Sequence, residues 1–225
     1  MIWLGFLTDK NPWLPIPPEP VNPTCSYKSF ISDAAGLSID GDYSCGPGVA
    51  SVGFNENGEI MFAQSISWFH NMIVHKRDSK GVRFGDKSTT LEMIGLLLPF
   101  LSIPNKLRNQ HVVVFVDNLA CVHGWESKSV KGDTTASILL RAPHLIEAFL
   151  GSVIHVRHAP RKLNWESTMV DRMSRVKSVS QSDLVLLSSF SLPGVSQALL
   201  AWLKSPNEDW NLSFRLLKHV CDVCI

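Results

Sequence analysis

The run His-Val-Val-Val-Phe-Val-Asp-Asn at 111–118 constrains the fold most. From Val112 to Val116 it is unbroken, β-branched and aromatic, the composition of a strand buried on both faces. It stops at Asp117, an acid standing where α/β sheets place their ligand crevice, beyond the carboxyl ends of the strands. Residues 28–34 read as an earlier strand. Val49 to Phe54 and Ile60 to Ser67 flank Asn55-Glu56-Asn57-Gly58-Glu59, a hairpin turn because Asn and Gly tolerate positive φ. A helix is expected from about Ser88, with Ser or Thr as N-cap and a disturbance at Pro99. Helical patterns follow over about 118–127 and 134–150, then a strand over 152–158 and a helix carrying Asp171. The order is strand, hairpin, helix, strand, two helices, strand, helix.

Around that block the composition changes. Residues 11–23 hold six prolines, which forbid helix and central strand and favour an extended arm or linker. After about residue 178 the chain becomes Ser- and Leu-rich, with helices expected around Leu199 to Leu203 and Phe214 to Val220. The chain therefore divides into a Pro-rich arm (1–25), a central domain (26–178) and a helical C-terminal extension (179–225). Hydrophobic content of 45% and charged content of 18% fit a soluble globular protein and exclude a disordered one. A net charge of +1 gives no overall basic surface, so any nucleic-acid contact must be local. Five cysteines without framework spacing favour a reducing, intracellular compartment, with nothing to separate nucleus from cytoplasm. The apolar start, Met1 to Leu7, lacks a basic flank and a cleavage site and is not read as a signal peptide, and no run is long enough to span a membrane.

Four acids stand in contexts that would bring them to one point. Asp33 ends Ser-Phe-Ile-Ser-Asp, Glu92 lies in a helical stretch with little polar face, Asp117 follows the strongest strand, and Asp171 lies in Val-Asp-Arg-Met-Ser-Arg. Gathered carboxylates repel one another unless cations neutralise them, so the expectation is a divalent-metal site. An oxygen-only ligand set suits Mg²⁺ or Mn²⁺ and matches zinc poorly.

The pieces Ile-Ser-Asp-Ala-Ala-Gly (31–36), Thr-Leu-Glu (90–92), Val-Val-Val-Phe-Val-Asp-Asn (112–118) and Val-Asp-Arg-Met-Ser-Arg (170–175) resemble the ribonuclease H-like domains of retroelement reverse transcriptases. The likeness covers roughly residues 26–176. It implies an α/β fold with a mixed five-stranded sheet flanked by helices, and hydrolysis of the RNA strand of an RNA–DNA hybrid. It further implies two ions about 4 Å apart, Mg²⁺ or Mn²⁺, one activating water and one stabilising the leaving oxygen. In that scheme Asp33 bridges, Asp117 binds the same or the second ion, Glu92 holds a metal or its water, and Asp171 completes the second site. Retroviral members carry a loop His shortly before the last acid. Here the chain departs from that pattern, since His158 precedes Pro160 instead of following it and Lys162 falls nearer the expected position; His158 is still the residue the resemblance offers as proton shuttle or for product release. Asn118, Arg161, Lys162 and Asn164 are the expected substrate contacts. The implied partners are nucleic acid, above all the hybrid, and an upstream polymerase domain or partner protein formerly joined through the Pro-rich arm.

Each signal has a plainer reading. Asp171 could pair with Arg172 or Arg175, and Asn118 could simply cap the next helix. Lys76, Arg77, Lys80 and Arg83 could be a solvated loop or phosphate contacts. Trp125, Trp165 and His123 could be buried or could stack on bases. Cys221-Asp222-Val223-Cys224 with His219 is half a zinc site at most. Two other function classes stay open. One is another two-metal nuclease on the same scaffold, although transposases place their Glu last and DEDD exonucleases carry Asp-x-Glu on the first strand. The other is a non-catalytic nucleic-acid- or protein-binding module.

Overall fold

In the computed structural model, residues 27–36, 48–67, 77, 80–159, 165–175, 179–189 and 212–224 are described. Five strands form one mixed sheet: β1 (Tyr27–Ala34), β2 (Gly48–Phe54), β3 (Ile60–Ser67), β4 (His111–Val116) and β5 (Val153–His158), in the order β3-β2-β1-β4-β5. β1 runs antiparallel to β2 and β2 to β3, whereas β1, β4 and β5 are parallel. That order and those directions make the fold ribonuclease H-like, as the resemblance implied. The β2–β3 turn forms as expected: Gly58 has φ +77°, and Asn55 Oδ1 accepts the amides of Asn57 and Glu59.

Helix α1 (Ser88–Ser102) and the short α2 (Pro104–Leu107) precede β4. Pro99 does not stop α1. It removes only the donor that Gly95 would have received, and the flanking Leu96, Leu97, Leu98, Phe100 and Leu101 are all buried, which outweighs a loss of roughly 3 kcal/mol. Helices α3 (Leu119–Ser127) and α4 (Thr134–Leu150) fall where helical patterns were read. They are capped by Asn118 and Asp133, whose side chains accept amides of the first turns. Helices α5 (Trp165–Ser174), α6 (Gln181–Ser189) and α7 (Leu212–Cys224) complete the described elements.

The sheet is covered unequally. On one face the main core packs α1 and α4 against Phe30, Val49, Val112, Val114 and Val116. Leu216 and Val220 of α7 belong to the same core, so this part of the C-terminal extension lies on the central domain. On the other face α5 covers β1, β2 and part of β3 through Met169, Val170 and Met173, in a cluster with Ile31, Ala50, Val52 and Ala63. β4 is therefore not buried on both faces as expected. Val112, Val114 and Val116 are fully enclosed, but Val113 and Phe115 are half-buried because α5 sits over the neighbouring strands. On that face Val113 and Phe115 of β4 and Val153 and His155 of β5 are half-buried, next to the acids described below.

Candidate metal centre

The centre follows from strand register. Tyr27 pairs with His111 and Ile31 with Phe115 along parallel β1 and β4, and the same register continued sets Asp33 level with Asp117. Parallel neighbours end on the same side, so both acids reach one end of the sheet. Glu92 arrives from α1 on the opposite face. A close approach brings it there: at Gly95, one turn further on, a Cβ would stand 3.0 Å from Val49 Cγ2 and 3.3 Å from Ser32 Cβ. Ala34, at the end of β1, donates its amide to Glu92 Oε1 at 3.2 Å.

One carboxylate oxygen from each of Asp33, Glu92 and Asp117 lies within 4.8 Å of the others. Asp33 and Glu92 are buried and Asp117 is partly so. At an effective dielectric of about 20, each such pair of charges repels by roughly 3 to 4 kcal/mol. Three hard oxygen donors at this spacing could hold a metal ion of the Mg²⁺ or Mn²⁺ type. The adjacent Cys121 does not alter that preference. Burial, then the charges of Glu92, Asp117 and Asp133, push its thiol well above the usual range, so no soft thiolate is offered. A shallow cavity lined by Ile31, Asp33, Phe115, Asp117 and Ala159 opens beside the acids.

The fourth acid is not one of this group. Asp171 lies on α5, and its two oxygens accept Arg175 Nη2 at 3.0 Å and Nε at 3.4 Å. The spacing of four places both on one helix face, which favours the plainer ion-pair reading for the conformation seen here. Asn118 spends Oδ1 on the first amides of α3. His158 ends β5, exposed and opposite Val116 in the register, one residue before the acid at 117. Arg161, Lys162 and Asn164 lie outside the described residues, as do Lys76 and the side chain of Trp165. Trp125 is buried and stacks on His144 at 4.2 Å between ring centroids, so it is not a stacking platform. Arg83 pairs with Asp86, and Arg77 donates to the Gly81 carbonyl.

Two supporting features escaped the sequence reading. Ser174, fully buried, places Oγ 2.6 Å from Asp33 Oδ2. The first turn of α1 is tied to the N-terminus of α4: Lys87 Nζ and Thr90 Oγ1 both donate to the Asp133 carboxylate, at 3.2 and 2.7 Å. The signal for Ser174 was its helical spacing of three from Asp171. The Lys87–Asp133 tie had none, since it spans two helices.

No family model and no curated protein sequence matches the chain. Among solved structures it is similar to the N-terminal RNase H domain of rv2228c from Mycobacterium tuberculosis, studied as a fusion with maltose-binding protein. There the identity is 11%, the TM-score 0.47, and the match covers 73% of this chain and 99% of that one. A ribonuclease H1 isolated from compost by a metagenomic approach gives 14% identity, a TM-score of 0.47, and coverage of 68% and 99%. The foamy viral protease-reverse transcriptase, solved with an RNA/DNA hybrid, gives 12% identity and a TM-score of 0.43 over 79% of this chain and 26% of that one. The fold assignment itself rests on the strand order, direction and register given above.

Proposed function

We propose that this chain is a metal-dependent endonuclease that hydrolyses the RNA strand of RNA–DNA hybrids and descends from a retroelement polyprotein. The observation that carries the reading is the convergence of Asp33, Glu92 and Asp117 at the carboxyl ends of β1 and β4. Carboxylates gathered this closely, two of them buried, fit a purpose that repays their repulsion. The half-buried strand face beside them is where an extended substrate would lie.

Asp33 and Asp117 would hold the metal from two adjacent strands, and Glu92 would hold it, or its water, from α1. The chemistry a divalent ion pair supplies on this scaffold is water activation and stabilisation of the leaving oxygen. The protein's part is to fix three oxygens and to position the scissile phosphate. Asp171, on α5, would complete the second position once released from Arg175. His158, exposed at the end of β5, is assigned to carrying a proton away from the product. Arg161, Lys162 and Asn164 are assigned to phosphate contact by sequence position alone.

The test is cleavage of end-labelled RNA–DNA hybrid, with duplex DNA, duplex RNA and single strands alongside, in Mg²⁺ and in Mn²⁺. Cutting of the RNA strand of the hybrid, abolished in Asp117→Asn, is the expected outcome. Cutting of a different substrate, also abolished, would keep a metal nuclease and replace the substrate. Intact substrates throughout, from folded protein, would refute the nuclease reading.

A further inference from the structure

We propose that Ser174 is a positioning residue for the cation site: its buried hydroxyl fixes the Asp33 carboxylate in the orientation that meets Glu92 and Asp117. The inference rests on the reading of those three acids as a metal centre and goes beyond it to a residue on a different helix.

Ser174 ends α5 and is fully buried, and Asp33 is 5% exposed, so water does not compete for this contact. Two acceptors lie within reach of its single hydroxyl hydrogen: Asp33 Oδ2 at 2.6 Å and the Asp171 carbonyl at 2.9 Å. A serine late in a helix ordinarily bonds back to such a carbonyl. Here the charged acceptor is nearer, and a hydrogen bond to a charged group is worth about 1.5–3 kcal/mol against about 0.5–1.5 for a neutral one. The hydrogen therefore goes to Asp33. The donor itself is held rigidly, because Met173 and Val170 are buried in the core beneath α5 and Ser65 Oγ donates to the Met173 carbonyl at 2.8 Å. A fixed donor to a ligand carboxylate sets its plane before any cation arrives, so less ordering is left to the binding step. The arrangement also couples the two faces of the sheet: Ala34 orients Glu92 on the α1 side while Ser174 orients Asp33 on the α5 side.

The experiment measures Mn²⁺ affinity of the full chain from the electron paramagnetic resonance signal of free Mn²⁺, with circular dichroism to confirm folding. Wild type is compared with Ser174→Ala, Ser174→Cys, Ser174→Thr and Ser65→Ala. Ser174→Ala is expected to weaken Mn²⁺ binding about tenfold or more. Ser174→Cys, which fills the site with a poorer donor, should weaken it in the same direction and serves if the Ala variant does not fold. Ser174→Thr, which keeps the hydroxyl, should restore most of the affinity. Ser65→Ala removes a different anchor of the same helical turn and should lower stability without changing affinity. Wild-type affinity in the Ala or Cys variant overturns the proposal, as does an equal loss in Ser65→Ala, which would reduce Ser174 to a helix anchor. Failure of wild type itself to bind Mn²⁺ is a separate result: it overturns the metal-centre reading, and this inference with it.

Discussion

Gly95→Ala sets two known effects against each other at a point that decides where Glu92 sits. In an isolated helix the change stabilises by about 0.8–1.0 kcal/mol, because Ala loses less backbone entropy than Gly. In this helix the added Cβ would stand 3.0 Å from Val49 Cγ2, 3.3 Å from Ser32 Cβ and 3.6 Å from the Asp33 carbonyl. Val49 is wholly enclosed in the main core and Ser32 lies on a central strand, so neither can swing into solvent. Overpacking of this kind costs about 1–3 kcal/mol. The clash wins, and the net expectation is a loss of about 1 kcal/mol, or roughly 2–4 °C in melting temperature for a chain of this size. The strain is relieved by lifting α1 from β1 and β2, which carries Glu92 away from Asp33 and weakens Mn²⁺ binding as well. Thermal melts in the absence of metal, followed by Mn²⁺ titration, read both effects. In a double-mutant cycle, Val49→Ala should partly rescue Gly95→Ala, with a favourable coupling of about 0.5 kcal/mol or more. A rise in melting temperature for Gly95→Ala would refute the reasoning, since it would mean that α1 is not seated tightly enough on the sheet to place Glu92.

Two further outcomes follow from charge. Metal-free Asp117→Asn should melt higher than wild type by about 2–4 °C, because removing one of three like charges relieves roughly 1 kcal/mol after solvent screening of this partly exposed group; an unchanged or lower melt would count against the repulsion. Asp183 is buried, which raises its carboxyl, but hydrogen bonds from Arg172 and Ser180 outweigh this and hold it below the usual range. Its contribution is therefore present above the ordinary carboxylate value of about 3.9 and disappears as pH falls through the lower folded value. Asp183→Ala should cost about 1 kcal/mol in urea unfolding at pH 7 through the lost Ser180–Asp183 cap, and the gap to wild type should narrow as the pH is lowered through the acid range in which the wild-type carboxylate takes up its proton.

How much could be read beforehand depended on how local the determining physics was. The β2–β3 hairpin and the β4 strand were legible because turn chemistry and β-branched runs act within a few residues. Glu92 was legible because its helix had almost no polar face for it to occupy, and the structure buries it. Pro99 was misjudged because its cost is local while the compensating burial of α1 is tertiary. The half-buried second face of β4 was missed because nothing in its own sequence says which strands α5 covers. The gathering of Asp33 and Asp117 depends on parallel register, which the strand ends suggested and the fold supplies. Asp171 shows the opposite case: its partner Arg175 lies four residues on, and the structure makes that local contact. Ser174 acts on a residue far away in the chain, and only the packing of α5 on β1 brings the two together.

The most direct test of the central claim is diffraction from crystals of the full chain soaked in Mn²⁺, with anomalous difference maps calculated at the manganese absorption edge. A peak coordinated by carboxylate oxygens of Asp33, Glu92 and Asp117, and lost in Asp117→Asn, is the result this account expects. Well-ordered carboxylates with no anomalous peak between them at high Mn²⁺ concentration would contradict it.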